Sequence, residues 1–290
     1  MYLCQPYDDC LRQILDQGVS RTNKRTGIKT SSVFGMSARY KLNTDYFPII
    51  TKRKVWPKSV FAELIWFLSG STNNKDLKKI GCNFWTPWVS DEFEKKHGFE
   101  EESFGPVYGF QLRHFGGNYN KGIQQEPYYG HGGYDQLNWV VNRIKEDHSC
   151  RRTLWTLWNP QDLDKMRLPP CHMLFQVLVD DNRNLSGILY QRSIDAPIGC
   201  PANIQFYSAL IIMIAQQTGC VPFEFIHFMG DCHIYENQIK GVEEYLAREN
   251  QPDSPKLSIK KAKDIFSYSV DDFKISDYNP LEKIEIPVAV

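Results

Sequence analysis

From Ala196 to Phe223 the chain carries no charged side chain. A run of that length is buried either in a bilayer or in a protein interior. Asn203, Gln205, Ser208, Gln216 and Gln217 interrupt it, and Ala209 to Ala215 is its only continuous apolar run. A membrane span needs about 20 consecutive apolar residues, so the stretch predicts a buried helix and no membrane partner. Residues 57–70 predict a second one, because Val60, Phe61, Leu64, Ile65, Trp66, Phe67 and Leu68 cover nearly every helical face. Two such helices need a large core around them. A chain of 290 residues, 42% hydrophobic and 13% aromatic, can supply it, which sets disorder aside.

Leu11, Ile14 and Leu15 at helical spacing predict a first helix over residues 7–18, stopped by Gly18. Residues 31–42 read as extended. Residues 173–179 and 185–192 flank the polar Asp180-Asp181-Asn182-Arg183-Asn184, the pattern of a hairpin. Another extended segment, around Glu224 to Phe228, follows the charge-free helix. Strands and helices in this order predict an α+β fold, a mixed sheet packed on buried helices, as a single domain over residues 1–290. Residues 89–135 are rich in Gly, Tyr, Lys and Glu and punctuated by Gly116-Gly117-Asn118 and Gly130-His131-Gly132-Gly133. They predict helical and looped insertions on the surface.

The 34 basic and 34 acidic side chains cancel. A DNA-binding cleft usually needs a basic excess, so no DNA partner is expected, while a small anion held by a few arginines remains compatible. Eight scattered cysteines without a CxxC pair predict free thiols in a reducing compartment, and no zinc or other metal. The opening Met1-Tyr2-Leu3-Cys4-Gln5-Pro6 lacks the basic and apolar segments of a secretory leader. A cytoplasmic location is the expectation.

Several residues carry chemistry. Glu63 sits within the apolar 57–70 helix, where an unpaired carboxylate is costly and burial raises its pKa toward neutrality. That suits proton transfer, and it equally suits a buried ion pair. Cys171-His172 follows Leu168-Pro169-Pro170 at a strand start. Strand neighbours point to opposite faces, so His172 is a poor base for Cys171, and a nearby arginine is the natural activator of a thiolate. A lone Cys is also commonly an inert core residue. Arg25, the Arg151-Arg152 pair and Arg192-Ser193 offer guanidinium forks and a hydroxyl of the kind a phosphate monoester needs. His233 and Tyr235 alternate onto one strand face and could reach a sugar hydroxyl together. Asn203 opens the charge-free helix and could merely cap it. Its amide also offers a donor and an acceptor, the complement of a uracil edge.

Taken together, Leu168-Pro-Pro-Cys-His172, Gln191-Arg-Ser-Ile-Asp195 and Gly230-Asp-Cys-His-Ile-Tyr235 resemble the thymidylate synthase family in order and spacing. Arg25-Thr-Gly27, Glu63-Leu-Ile-Trp-Phe-Leu68, Gly105-Pro-Val-Tyr-Gly109, Arg151-Arg152 and the terminal Pro287-Val-Ala-Val290 extend the resemblance over essentially the whole chain. The loops over 89–135 resemble those of the family's longer-insert branch. The resemblance implies a thymidylate synthase-like fold and a homodimer that converts dUMP to dTMP, with 5,10-methylenetetrahydrofolate giving both a carbon and a hydride. Cys171 would attack C6 of the pyrimidine, Glu63 would organise protons, and Tyr108 would assist removal of the C5 proton. Arg192 would bind phosphate and lower the thiol pKa. Arg25 and Ser193 would also hold phosphate, joined by Arg151 and Arg152 from the partner subunit. Asn203, with Gln191 and His172, would face the base, and His233 and Tyr235 the 3′-hydroxyl. Trp85, Leu168, Asp195, Gly199, Ala202 and Val290 would face the folate.

The segment Asp195-Ala196-Pro197-Ile198-Gly199-Cys200-Pro201-Ala202-Asn203 departs from the family pattern, which has leucine at Ile198 and phenylalanine at Ala202. Thr86 stands where the family has aspartate. A missing phenyl ring removes packing worth about 3 kcal/mol if nothing refills the gap. A looser folate wall could admit water, which would make the product 5-hydroxymethyl-dUMP, as in the hydroxymethylases. Cytosine-specific relatives favour aspartate at position 203, so Asn203 points to uracil. Leu168, Trp85 and Val290 match the methylating enzymes and tip the expectation toward methylation. A catalytically silent nucleotide- or RNA-binding relative is the third reading, and the intact Cys171, Glu63 and arginine set argues against it.

Overall fold

The computed structural model describes residues 4–24, 26–42, 46–119, 132–251 and 254–289. In chain order the described elements are α1 (Gln5–Gln17), β1 (Val19–Thr22), β2 (Lys29–Lys41), α2 (Pro57–Ser69), α3 (Asn74–Lys79), α4 (Asp91–His97), α5 (Tyr108–Arg113) and α6 (Gln136–Glu146). They continue as β3 (Leu154–Thr156), β4 (His172–Val179), β5 (Asn184–Asp195), α7 (Gly199–Thr218), β6 (Val221–Tyr235), α8 (Ile239–Ala247), β7 (Lys256–Ile259) and β8 (Phe273–Ser276).

The charge-free stretch becomes α7, enclosed along most of its length. It joins β5 to β6, which pair in parallel from Asn184↔Val221 to Asp195↔His233. Every other strand pairing is antiparallel, giving a mixed six-stranded sheet in the order β1-β2-β6-β5-β4-β3, with β7 and β8 as a separate pair. The expected hairpin is β4–β5, and the extended segment near Glu224 is part of the single long β6 that runs on to Tyr235. Among the described residues no helix is long and apolar enough to cross a membrane.

The two sheet faces differ sharply. Trp155, Phe175, Val177, Leu189, Phe225, His227 and Met229 turn inward and are buried. The core they join includes residues of α1, α2, α6 and α7. Alternate positions Leu154, Leu178, Tyr190 and Phe228 turn outward and are 37–57% exposed.

One expectation needs correction. Residues 89–135 do not all lie on the surface, because Ser103–Leu112 is buried throughout. Phe104, Val107, Phe110 and Leu112 join Tyr108 in packing inward, and that apolar content outweighs the neighbouring loop punctuation. The Gly130-His131 punctuation lies outside the described residues.

Gly109 lets α5 approach the end of α2. A Cβ built there would lie 2.6 Å from the Ser71 carbonyl oxygen and 3.0 Å from the backbone of Gly70. Neither backbone can yield cheaply, so the short helix would have to back away, taking Tyr108 with it. Gly109→Ala should therefore lower stability by about 1–3 kcal/mol, measured as the midpoint of urea unfolding. A midpoint within error of the parent would show that the α2–α5 contact is not tight.

Candidate active site

Because β5 and β6 are parallel, both end at the same edge of the sheet, and the antiparallel β4 begins there, with His172 opposite Gln191. Cys171 immediately precedes β4. Its backbone N–H donates to the Tyr108 hydroxyl at 2.8 Å, and its carbonyl accepts from the Arg192 N–H at 2.9 Å. The Arg192 side chain grips the same turn: Nε and Nη2 donate to the carbonyls of Pro170 and Pro169, each at 2.8 Å. Its guanidinium lies 5.3 Å over the Trp158 ring. Gly230 permits this packing, since a Cβ there would stand 2.6 Å from the Arg192 carbonyl oxygen. The nucleophile candidate is thus clamped between α5 and β5, half-buried rather than lost in the core.

Glu63, on α2, reaches this turn through Trp85 and Tyr108. Trp85 Nε1 donates to its Oε1 at 2.5 Å, and the Trp85 ring meets Tyr108 edge-on at 5.4 Å. Burial pushes the Glu63 carboxyl up to about 7, against the opposing pull of the Trp85 hydrogen bond. Burial also holds the Tyr108 hydroxyl well above its ordinary range, with the adjacent Cys171 adding to the effect. His172 is buried and uncharged, held down to about 3 by desolvation. Its Nδ1 meets the Tyr207 hydroxyl at 3.1 Å, so it is turned away from service as a base for Cys171.

On α7, Asn203 donates from Nδ2 to Gln191 Oε1 at 3.1 Å. At the end of β6 the rings of His233 and Tyr235 touch edge-on at 5.1 Å, on one face as their alternation predicts. Asp231 lies beneath them, held down to about 2 by hydrogen bonds from His233 and Ser32. Asp195 accepts from Gln238 Nε2 at 2.9 Å and from the Ile198 N–H at 3.2 Å, and burial raises its pKa. Gln238 Nε2 also donates to the Pro287 carbonyl at 2.8 Å, tying the end of the described chain to the site.

Cys171, Glu63, Tyr108, Trp85, His172, Gln191, Arg192, Asn203, Asp195, His233 and Tyr235 therefore gather at one end of the sheet through these links. Ser193 lies on β5 among them, its carbonyl accepting from Gln191 Nε2 at 3.2 Å. Leu168, Gly199 and Ala202 are partly buried nearby in sequence, on the Pro169 turn and the first turn of α7. Thr86 is exposed and accepts from Asn74 Nδ2 at 3.3 Å. Arg25 and Val290 lie outside the described residues.

Arg151 and Arg152 are the exception. The Thr153 carbonyl accepts from the Val177 N–H, at the far end of β4 from Cys171. At roughly 3.3 Å per strand residue, that is about 20 Å along the strand. Both arginines are exposed, with no carboxylate in ion-pair contact among the described residues. They do not converge with Cys171 within one chain.

Three participants were not anticipated. Trp158 and Gln238 gave no local signal. His227 did give one, as the single ionisable residue inside the apolar Phe225-Ile226-His227-Phe228-Met229.

The Glu63 shift carries a pH consequence. Between the ordinary carboxyl value of 4.5 and about 7 the native state keeps a proton that the unfolded chain has released. Unfolding then releases a proton, so this group's contribution falls as pH rises through the window. Glu63→Gln should stabilise the protein at pH 8 by about 1–3 kcal/mol and make little difference at pH 5, measured by urea midpoints. An equal effect at both values would mean that Glu63 is ionised normally.

The family model described as Thymidylate synthase matches residues 5–290. The chain is similar to Thymidylate synthase of Homo sapiens, 46% identical over 284 residues, which cover 97% of this chain and 88% of that protein. It is similar to Thymidylate synthase of Human herpesvirus 8 type P (isolate GK18), 43% identical over 97% of this chain and 82% of the viral protein. It is similar also to Thymidylate synthase of Saccharomyces cerevisiae (strain ATCC 204508 / S288c), 40% identical over 99% of this chain and 97% of the yeast protein. None of these relatives lends support to the hydroxymethylase alternative.

Proposed function

The chain belongs to the thymidylate synthase family, and from that premise we propose which of its residues carry out the methylation of dUMP to dTMP. The chain is a C1 transferase with 5,10-methylenetetrahydrofolate as co-substrate. The observation that supports the assignment best is the clamped Cys171, set between Tyr108 and Arg192 with Glu63 and Asn203 close by in the same network.

C5 of uracil is a poor nucleophile. Addition of the Cys171 thiolate to C6 forms an S–C6 bond and moves the ring electrons onto C5 and O4, so that C5 can attack the electrophilic methylene carbon. Asn203 reads the base edge and stabilises charge at O4. Glu63, poised near neutrality, can hold or release a proton beside O4. The Tyr108 hydroxyl, kept protonated, assists removal of the C5 proton. Release of the folate nitrogen followed by hydride transfer completes the methyl group. Expulsion of Cys171 restores the ring and leaves dihydrofolate.

The phosphate is assigned to Arg192 and Ser193, with Arg25. Two of the five N–H groups of the Arg192 side chain hold the Pro169–Pro170 turn, which leaves the others for phosphate oxygens. His233 and Tyr235 take the 3′-hydroxyl. Asp195, Trp85, Leu168, Gly199 and Ala202 form the folate side, with Val290 as the closing end. Gln238 supports closure by joining Asp195 to Pro287. The balanced charge suits these small substrates rather than DNA. The eight free cysteines suit the reducing cytoplasm.

We assign the outer sheet face to a second copy of this chain. Leu154, Leu178, Tyr190 and Phe228 give it exposed apolar area, and the stranded Arg151 and Arg152 lie beside it next to β3. A two-fold dimer through this face would carry each arginine pair toward the partner's phosphate site.

Incubation with dUMP and methylenetetrahydrofolate should yield a nucleotide heavier by a methyl group. A hydroxymethyl increment would instead support the alternative product, and no product at all a silent relative. Cys171→Ser should lose nearly all turnover while still binding dUMP, and near-normal turnover would remove the covalent route. The dimer has a separate test. Refolding Cys171→Ser together with the double variant Arg151→Ala, Arg152→Ala should restore about a quarter of parental activity, because statistical mixing makes half the dimers mixed and each mixed dimer has one intact site. A mixture no more active than its components would contradict sharing of the arginines.

A further inference from the structure

Beneath the base-reading Asn203 runs a chain of hydrogen bonds whose last member has no part in the mechanism above. Gln191 Oε1 accepts from Asn203 Nδ2 at 3.1 Å and lies 2.9 Å from His227 Nε2. Gln191 Nε2 donates to the Ser193 carbonyl at 3.2 Å. His227 is on the inward face of β6, wholly enclosed, and its Nδ1 has no hydrogen-bond partner among the described residues. It stands opposite Leu189 on one side and Ala38 on the other, with the Phe225 ring 5.4 Å away.

These contacts fix the orientation of Gln191 and, through it, the tautomer of His227. A carboxamide has two orientations of nearly equal shape and opposite hydrogen-bonding sense. Donation to the Ser193 carbonyl turns the Gln191 nitrogen that way, so its oxygen faces both Asn203 and His227. For that oxygen to accept, His227 must carry its proton on Nε2. Desolvation keeps the ring neutral, with its pKa lowered to about 3, so Nδ1 is left bare, in agreement with its missing partner. On the other flank stands His172, whose Nδ1 meets the Tyr207 hydroxyl at 3.1 Å.

The consequence falls on base choice. With one N–H given to Gln191, Asn203 presents Oδ1 and its second N–H. Those groups match the N3–H donor and O4 acceptor of uracil. Cytosine offers the reverse, an acceptor at N3 and a donor at C4, so it needs Asn203 flipped. A flip would set Asn203 Oδ1 against Gln191 Oε1, two acceptors with no proton between them. That clash persists only while Gln191 itself cannot turn. If Gln191 turned, its oxygen would meet the Ser193 carbonyl and its nitrogen would meet the His227 Nε2–H, donor against donor.

We propose that His227 is a positioning residue for substrate specificity: its Nε2–H locks the Gln191 carboxamide, which locks Asn203 in the orientation that accepts uracil and rejects cytosine. The proposal rests on the assignment of Asn203 as base reader. It predicts that the lock acts on the ratio of dUMP to dCMP affinity rather than on the chemical step alone.

The test compares equilibrium binding of dUMP and dCMP to the parent, His227→Phe and His227→Gln. His227→Phe should narrow the preference for dUMP by about tenfold or more, as loss of a hydrogen-bonded discriminator commonly does. His227→Gln, which returns an N–H donor, should recover most of it. A folded His227→Phe with the parental ratio, or one that loses both nucleotides equally, would overturn the lock. If His227→Phe fails to fold, nitrogen NMR of the parent protein still decides. A neutral ring protonated on Nε2 at pH 7 is the prediction, and a ring protonated on Nδ1, or on both nitrogens, contradicts it. A parent without any preference for dUMP would remove the uracil reading itself, a result distinct from either failure of the lock.

Discussion

The parallel pairing of β5 and β6 governs the rest of the molecule. A parallel neighbour in the same sheet requires a crossover, and here the crossover is α7, whose apolar side chains leave it no place except the interior. Burying that helix brings the ends of both strands to one edge of the sheet. Gln191, Arg192, Ser193 and Asp195 from β5 then stand beside Asp231, His233 and Tyr235 from β6, and the first turn of α7 delivers Asn203 between them. The antiparallel hairpin sets Cys171 at the same edge, since β4 starts where β5 ends. The site follows from topology before any substrate contact is considered.

The same burial sets the electrostatics. Glu63 is raised to about 7, His172 is held near 3, and the Tyr108 hydroxyl is kept protonated, each because the charged form is cut off from water. Burial magnifies the few charge-stabilising contacts that remain beside these groups. Arg192 brings a permanent positive charge, tied down through the carbonyls of Pro169 and Pro170. In the proposed reaction, charge developing on sulfur or on O4 would meet these fixed donors.

Much of this was legible in the residues. Lack of charge over 196–223 and the all-round apolar character of 57–70 identified the two buried helices, and alternation identified the β4–β5 hairpin. The motifs named most of the residues that the structure gathers at one edge of the sheet. What escaped has physical causes. Residues 103–112 were hidden by glycine and lysine in the loops on either side, although Phe104, Val107, Phe110 and Leu112 are apolar enough to be buried. Helix α6 carries Leu137, Val140, Val141 and Ile144 at helical spacing, a pattern present in the sequence although no helix was predicted there. Gln238 acts through contacts with Asp195 and Pro287, more than forty residues away on either side in sequence, which no local pattern encodes. The separation of Arg151 and Arg152 from Cys171 within one chain accords with their expected place across a subunit interface, and strand register supplies the distance.

The central claim is that Cys171 sulfur bonds to C6 of the pyrimidine during turnover. A 5-fluoro analogue of dUMP tests it most directly, because fluorine at C5 cannot leave as a proton and the reaction should stop with the thioether still in place. After incubation with that analogue and methylenetetrahydrofolate, mass spectrometry of the digested protein should find both substrates attached to the peptide containing Cys171. A peptide of unchanged mass in a sample that turns over dUMP, or an adduct on another cysteine, would contradict the account.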